Sequence, residues 1–240
     1  MNKLAYNRVL FKLSGELFKD GDNPFSFEKA LKIGAIIKKC HEMGVKTGIV
    51  VGGGNVFRGR EKDSGLDQVT ADHIGMLATT QNTLLLEGAL RDLGVEVRGM
   101  SAIPMNTILE PYCYKRMLAH FDNDKVVIFG AGTGNPHSST DSAAALRAAE
   151  MQADVLVKFT DVDGVYDKDP NKFDDAKLLS KLSFDQVIEL GLGVMDQTAF
   201  TFCKEKNIPI RVLSMDPPEN FLEVVRARKA GAKRIGTLIR

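Results

Sequence analysis

The sequence predicts an α/β fold, a three-layer α/β/α sandwich around a central, mostly parallel sheet. Three observations predict it. Short apolar runs rich in Val and Ile recur along the chain, several of them uninterrupted, as strands covered on both faces are. Longer segments with helical periodicity separate these runs. Strand–helix–strand alternation also demands crossover connections, and those join parallel strands.

In chain order, Val9–Leu13 reads as the first strand. Phe27–Met43 reads as a helix with Ala30, Ile33, Ile37 and Cys40 on one face, stopped by Gly44. Thr47–Val51 is the second strand, Asp72–Leu93 a long helix ending at Gly94, and Val95–Met100 the third strand. Lys125–Gly130 and Asp154–Thr160 are strands flanking a helix over Asp141–Gln152. The helix Asp196–Lys206, the strand Ile208–Ser214 and the helix Glu219–Lys229 complete the pattern. The looser stretch 161–175, with six aspartates, a glycine and a proline, divides a single domain over 1–240 into lobes of about 1–157 and 158–240.

The 240 residues are enough to bury a sizeable core. At 44% hydrophobic and 26% charged, the composition is that of a soluble globular protein. A formal net charge of +1 supplies no global basic field for nucleic acid, so any phosphate site is local. Cys40, Cys113 and Cys203 lie far apart without metal-ligand or disulfide spacing and read as buried thiols in helical patterns. No signal-peptide pattern and no run of membrane-spanning length is present, so a cytoplasmic protein without membrane contact is expected.

In open α/β sheets ligands bind at the carboxyl ends of strands, and four of the loops there are unusual. Lys12-Leu13-Ser14-Gly15-Glu16 closes the first strand. It can present an ammonium and backbone N–H groups to a polyphosphate, and it equally fits a solvated lysine beside an ordinary turn. Gly52-Gly53-Gly54-Asn55, followed by Arg58, allows close backbone approach to an anion and adds a guanidinium fork. Its glycine spacing is neither that of a Walker loop nor that of a Rossmann turn.

The third loop runs from Gly130 to Asp141 into an Ala-rich helix, placing Ser139, Thr140 and Asp141 at a helix start where free N–H groups hold an anion or a sugar. One of these residues serves as the cap. The fourth, Thr160 to Pro170, has acidic groups suited to orienting magnesium or accepting hydrogen bonds from a base and ribose, and Tyr166 suited to an adenine ring. A surface hairpin with solvated aspartates has the same spacing. Together the loops fit phosphoryl transfer, which is mostly positioning and charge neutralisation, and they do not identify the acceptor.

These residues resemble a known family. Lys12–Glu16, Gly52–Gly59, Asp72–Thr79, Ser101–Pro104, Ala131–Asp141, Val162–Tyr166, Val194–Asp196 and the final Gly236–Ile239 stand in the order of the bacterial UMP kinases of the amino acid kinase superfamily. The resemblance implies transfer of the γ-phosphoryl group of ATP to UMP in pyrimidine nucleotide biosynthesis. ATP would lie on the C-terminal lobe and UMP on the N-terminal one. Lys12, Leu13, Ser14, Gly15, Gly54 and Arg58 would meet the ATP phosphates, and Thr160, Tyr166 and Asp169 the ATP nucleoside. Gly53, Asp72 and the loop of Thr133, Gly134, Asn135, Pro136, His137, Ser138, Ser139 and Thr140 would hold UMP. Lys12 would neutralise the transferring group, while Asp141 and Asp196 would orient the catalytic groups and Mg2+, itself bound mainly through the ATP phosphates. A homohexamer joined through the long second helix, and GTP and UTP as effectors, are also implied.

Two positions depart from the family pattern: His137, where Phe or Tyr is usual, and Asp161, where Lys or Asn is usual. An added carboxylate beside ATP repels phosphate unless magnesium or Lys158 offsets it. Two other readings are a superfamily kinase forming an acyl phosphate and a nucleotide- or oxoanion-binding protein without turnover.

Overall fold

The structure, a computed structural model, describes residues 4–57, 65–217, 219–226 and 235–240. In these residues the strands are β1 (Arg8–Leu13), β2 (Lys46–Val51), β3 (Val97–Ser101), β4 (Glu110–Pro111), β5 (Val126–Gly130), β6 (Val155–Thr160), β7 (Lys181–Leu182), β8 (Ile210–Ser214) and β9 (Thr237–Ile239). They form one sheet in the order β4-β3-β5-β2-β1-β6-β8-β9-β7. Neighbours are parallel throughout except β8 and β9, so the sheet is mostly parallel as expected.

The helices are α1 (Phe27–Glu42), α2 (Gln68–Asp92), α3 (Tyr114–Asp122), α4 (Thr140–Glu150), α5 (Phe184–Glu189), α6 (Gln197–Glu205) and α7 (Asn220–Val225). Side chains of Ser26, Asp67, Ser139, Ser183 and Asp196 accept the orphan N–H groups that open α1, α2, α4, α5 and α6. Strand alternation sorts the core into two layers. Val9, Phe11 and Leu13 of β1 pack with α1, α2 and α7. Leu10 points the other way, into a second apolar layer with Ala144 and Ala148 of α4 and Phe200 of α6. Helices therefore cover both faces.

The differences from the sequence reading have local causes. The long helix begins one turn before Asp72, because Asp67 accepts from the Thr70 N–H and hydroxyl. The third strand starts at Val97, since the Val95 N–H returns to the Leu90 carbonyl to close α2. β4 and β7 have two residues each, too short for any periodicity, and β9 pairs with β8 in the opposite direction. Only Met117 and Phe121 of α3 are buried, a stripe too thin to announce a helix. The six residues of α5 carry a signal that was there to read, the Ser183–Gln186 capping box. Cys40 and Cys203 are buried in helices, but Cys113 is half-buried at the N-cap of α3 and not within a helical face. The helix foreseen over 219–229 is cut short as α7, because Arg226 turns extended and bridges to Leu4; residues 227–229 lie outside the described residues.

Candidate active site

The carboxyl ends of β1, β2 and β5 open onto a cavity of about 580 Å³, a size suited to a small-molecule ligand. Lys12 reaches it from β1, Gly53 and Gly54 from the loop after β2, Asp72 and Thr79 from α2, Thr133, Asn135, His137, Ser138 and Ser139 from the loop before α4, and Thr140 and Asp141 from the first turn of α4.

Two lysines share one carboxylate here; Lys12 and Asp141 line the cavity and Lys158 stands behind them. Lys12 and Lys158 are register partners on β1 and β6, both turned to the α4 face. Lys158 Nζ donates to Asp141 Oδ2 at 2.7 Å, and Lys12 Nζ meets Oδ1 at 3.1 Å, a charge contact without hydrogen-bond alignment. Side chains of all three are 13–15% exposed. Burial by itself raises the Asp141 carboxyl, but the ammoniums of Lys12 and Lys158 outweigh it and hold the group below the usual carboxylate range. Burial pushes the Lys158 ammonium down, and Asp141 recovers only part of that because Lys12 opposes it. Asp196 adds a weaker pull in the same direction as Asp141, and burial still prevails.

Asp196 stands beside this cluster as the N-cap of α6, accepting the Ala199 N–H at 2.9 Å. The hydroxyls of Ser139 and Ser142 both donate to it, which ties the start of α4 to the start of α6. Asp196 is thereby a brace between two helix N-termini and does not itself line the cavity.

The glycine loop fits between the turn after β1 and α2. A Cβ on Gly53 would lie 2.8 Å from Ala78 Cβ and 3.0 Å from the Gly75 carbonyl, so only glycine lets this backbone touch the helix. Gly15 is likewise packed onto the Gly52–Gly54 backbone. Ser14 caps the 3-10 turn that follows, and the Leu13 side chain is buried in the core while its carbonyl accepts from Gly52 N–H. Leu13 therefore offers a ligand only backbone.

Asp72 fastens the loop before α4. Its Oδ2 accepts the His137 N–H at 2.7 Å and its Oδ1 the Gln68 amide at 2.8 Å. His137 itself has φ 61°, and Gly134 with φ 81° lets the loop turn against Ala102. Gly134 and Pro136 shape this loop without lining the cavity. The Thr79 hydroxyl, unforeseen from sequence, accepts the Ala131 N–H at 2.8 Å and fixes the loop's other end.

The model of the amino acid kinase family matches residues 7–214. The chain belongs to this family. The curated uridylate kinase of Xanthomonas euvesicatoria pv. vesicatoria is 44% identical over 241 residues, covering all of this chain and 98% of that protein. The UMP kinase of Bacillus anthracis has TM-score 0.89 at 37% identity, covering 98% of this chain and 96% of its own. That of Ureaplasma parvum has TM-score 0.89 at 33% identity, covering 97% and 98%.

Amino acid kinase residues foreseen for the ATP nucleoside are not brought to the cavity. The Thr160 hydroxyl donates to the Val162 carbonyl, Tyr166 bridges to Leu178, and exposed Asp169 closes a turn through Asn171 N–H. Arg58 lies outside the described residues. The expected offset of Asp161 by Lys158 is corrected. Lys158 is engaged by Asp141 and by the Val194 carbonyl, both at 2.7 Å, while Asp161 is exposed. What was missed is Lys158 as a partner of Lys12. A lone lysine inside the apolar run Val-Leu-Val-Lys-Phe-Thr was the available signal.

A kinase using ATP requires a divalent cation. Among the described residues no cluster of three or more His, Cys, Asp or Glu is placed to hold one. The Asp141 carboxylate is already neutralised by two ammoniums. Residues of this kind suit a metal carried in on phosphate oxygens, where it neutralises polyphosphate charge.

Proposed function

We propose that this protein transfers the γ-phosphoryl group of ATP to UMP, giving UDP and ADP, as a step of pyrimidine nucleotide biosynthesis. The observation that carries the reading is the Lys12–Asp141–Lys158 cluster, one carboxylate between two ammoniums, with Lys12 and Asp141 lining the cavity and Lys158 behind them. Its net positive charge lies beside the glycine loop and the N-terminus of α4, where the transferring group would meet it. Lys12 neutralises the charge that redistributes on that group; Asp141 aims Lys12 and Lys158; Asp196 braces the start of α4. The UMP phosphate is already ionised at neutral pH, so no general base is required.

In this reading the 1–157 lobe holds UMP. Gly53, Asp72 and the Thr133–Thr140 loop surround it, with Gly134 and Pro136 acting through loop shape. Lys12, Leu13, Ser14, Gly15, Gly54 and Arg58 serve the ATP phosphates, and the 158–240 lobe, with Thr160, Tyr166 and Asp169, the ATP nucleoside. Mg2+ is the divalent ion and enters with ATP. Val69, Leu77 and Leu84 stand 40%, 51% and 39% exposed on α2, apolar surface that supports a homo-oligomer, here a homohexamer. GTP and UTP as effectors and a cytoplasmic setting rest on family resemblance. A coupled ADP-release assay across UMP, CMP, dUMP, GMP, aspartate and carbamate tests the reading. Strong turnover with UMP alone supports it; turnover only with a carboxylate or carbamate overturns it.

A further inference from the structure

Asn82 of α2 is fully buried, yet none of the roles above uses it. Its amide pairs reciprocally with that of Asn55 in the glycine loop. Asn55 Nδ2 donates to Asn82 Oδ1 at 3.0 Å, and Asn82 Nδ2 donates to Asn55 Oδ1 at 2.7 Å. The second N–H of each group is also engaged: Asn82 Nδ2 donates to the Gly52 carbonyl and Asn55 Nδ2 to the Pro24 carbonyl, each at 2.7 Å. All four amide hydrogens therefore have acceptors, as a buried polar pair requires.

The pair stands behind the cavity wall. Gly52, whose carbonyl it holds, donates its own N–H to Leu13 at 2.9 Å, one residue beyond Lys12. The absent side chain of Gly15 leaves the room that the Asn55 carbonyl fills. The turn after β1, the loop after β2 and α2 thus converge on two amides. Only a side chain with both a carbonyl and an NH2 group makes this reciprocal contact; leucine of similar volume and a charged carboxylate both lack it.

We propose that Asn82 and Asn55 are positioning residues for phosphoryl transfer. They hold the glycine loop against α2, so that Gly53, Gly54 and Lys12 keep one spacing where donor and acceptor phosphates meet. This rests on the kinase reading and adds to it two residues that touch no substrate.

The test uses Asn82→Leu, Asn55→Ala and the double variant, with kcat, KM for ATP and UMP, and hydrogen exchange of the peptide spanning 50–57. Each single variant is expected to lower kcat about tenfold or more at saturating substrates, with UMP affinity within about threefold, because spacing at the reacting atoms is lost. The double variant falls no further than the worse single one, and exchange in the loop quickens in all three. A kcat per folded molecule within about twofold of the parent would overturn the proposal, as would additive losses. If Asn82→Leu does not fold, Asn55→Ala alone decides by the same criteria. Absence of UMP phosphorylation by the unaltered protein would instead defeat the kinase reading, while loop exchange would still report on the amide pair.

Discussion

Lys12 and Lys158 stand opposite one another on adjacent parallel strands, and both ammoniums meet the carboxylate of Asp141. Two like charges so placed repel, and the carboxylate between them makes the pair tolerable at the cost of burying three charges. Such a cluster is poised to receive a polyphosphate, whose negative charge takes up the surplus positive one.

If Lys12 neutralises the transferring group, Lys12→Ala lowers kcat by roughly a hundredfold or more and changes UMP affinity far less. Steady-state kinetics on a folded variant, checked by circular dichroism, measures this. Near-full turnover would reduce Lys12 to a partner of Asp141.

Lys158 gives an alkaline signature. Its folded value is pushed below the ordinary lysine value of about 10.4, first by burial. Between the depressed and ordinary values the unfolded chain holds the extra proton, so this residue makes stability rise with pH while the charge used in the site is lost. The pH profile of kcat is expected to fall before the ordinary lysine range, and Lys158→Arg, if active, to move that limb upward. A limb unmoved by the arginine would assign it elsewhere.

Asp141 acts in the opposite direction. Its folded value lies below the unfolded value of about 3.9, so its stabilisation is full above that pH and lost as pH falls through the depressed value. Asp141→Asn is expected to melt below the parent at pH 7, and the gap to close in strong acid. A gap independent of pH would contradict an ionised Asp141.

Asp161 is exposed and unpaired with Lys158, which has other partners. Asp161→Asn is expected to leave turnover and KM for ATP within about twofold at every magnesium concentration, as most surface substitutions do. A sharp loss of kcat, or tighter ATP binding at low magnesium, would restore this carboxylate to the site.

Much of this was legible in the sequence because strands and helices announce themselves by period. Val9–Leu13 and Asp154–Thr160 were read as strands because they are short apolar runs set between helix-patterned segments. That they are neighbours in the sheet was not legible, since strand order is a property of the folded topology. Lys158 went unrecognised as the partner of Lys12 for that reason. Asn82 and Thr79 were hidden similarly: within α2 they look like ordinary polar residues, and only the approach of the 52–55 and 131–137 loops gives their side chains partners. The offset of Asp161 by Lys158, one of the two offered, was not legible either way, since the partners that hold Lys158, Asp141 and the Val194 carbonyl, come from distant parts of the chain.

The most direct test of phosphoryl transfer from ATP to UMP is phosphorus NMR of the protein with ATP, Mg2+ and UMP. The account predicts that the γ-phosphate resonance of ATP disappears as the β-phosphate resonances of ADP and UDP rise in equal amounts. A γ-phosphate that persists, or that emerges only as inorganic phosphate with UMP unchanged, would contradict it.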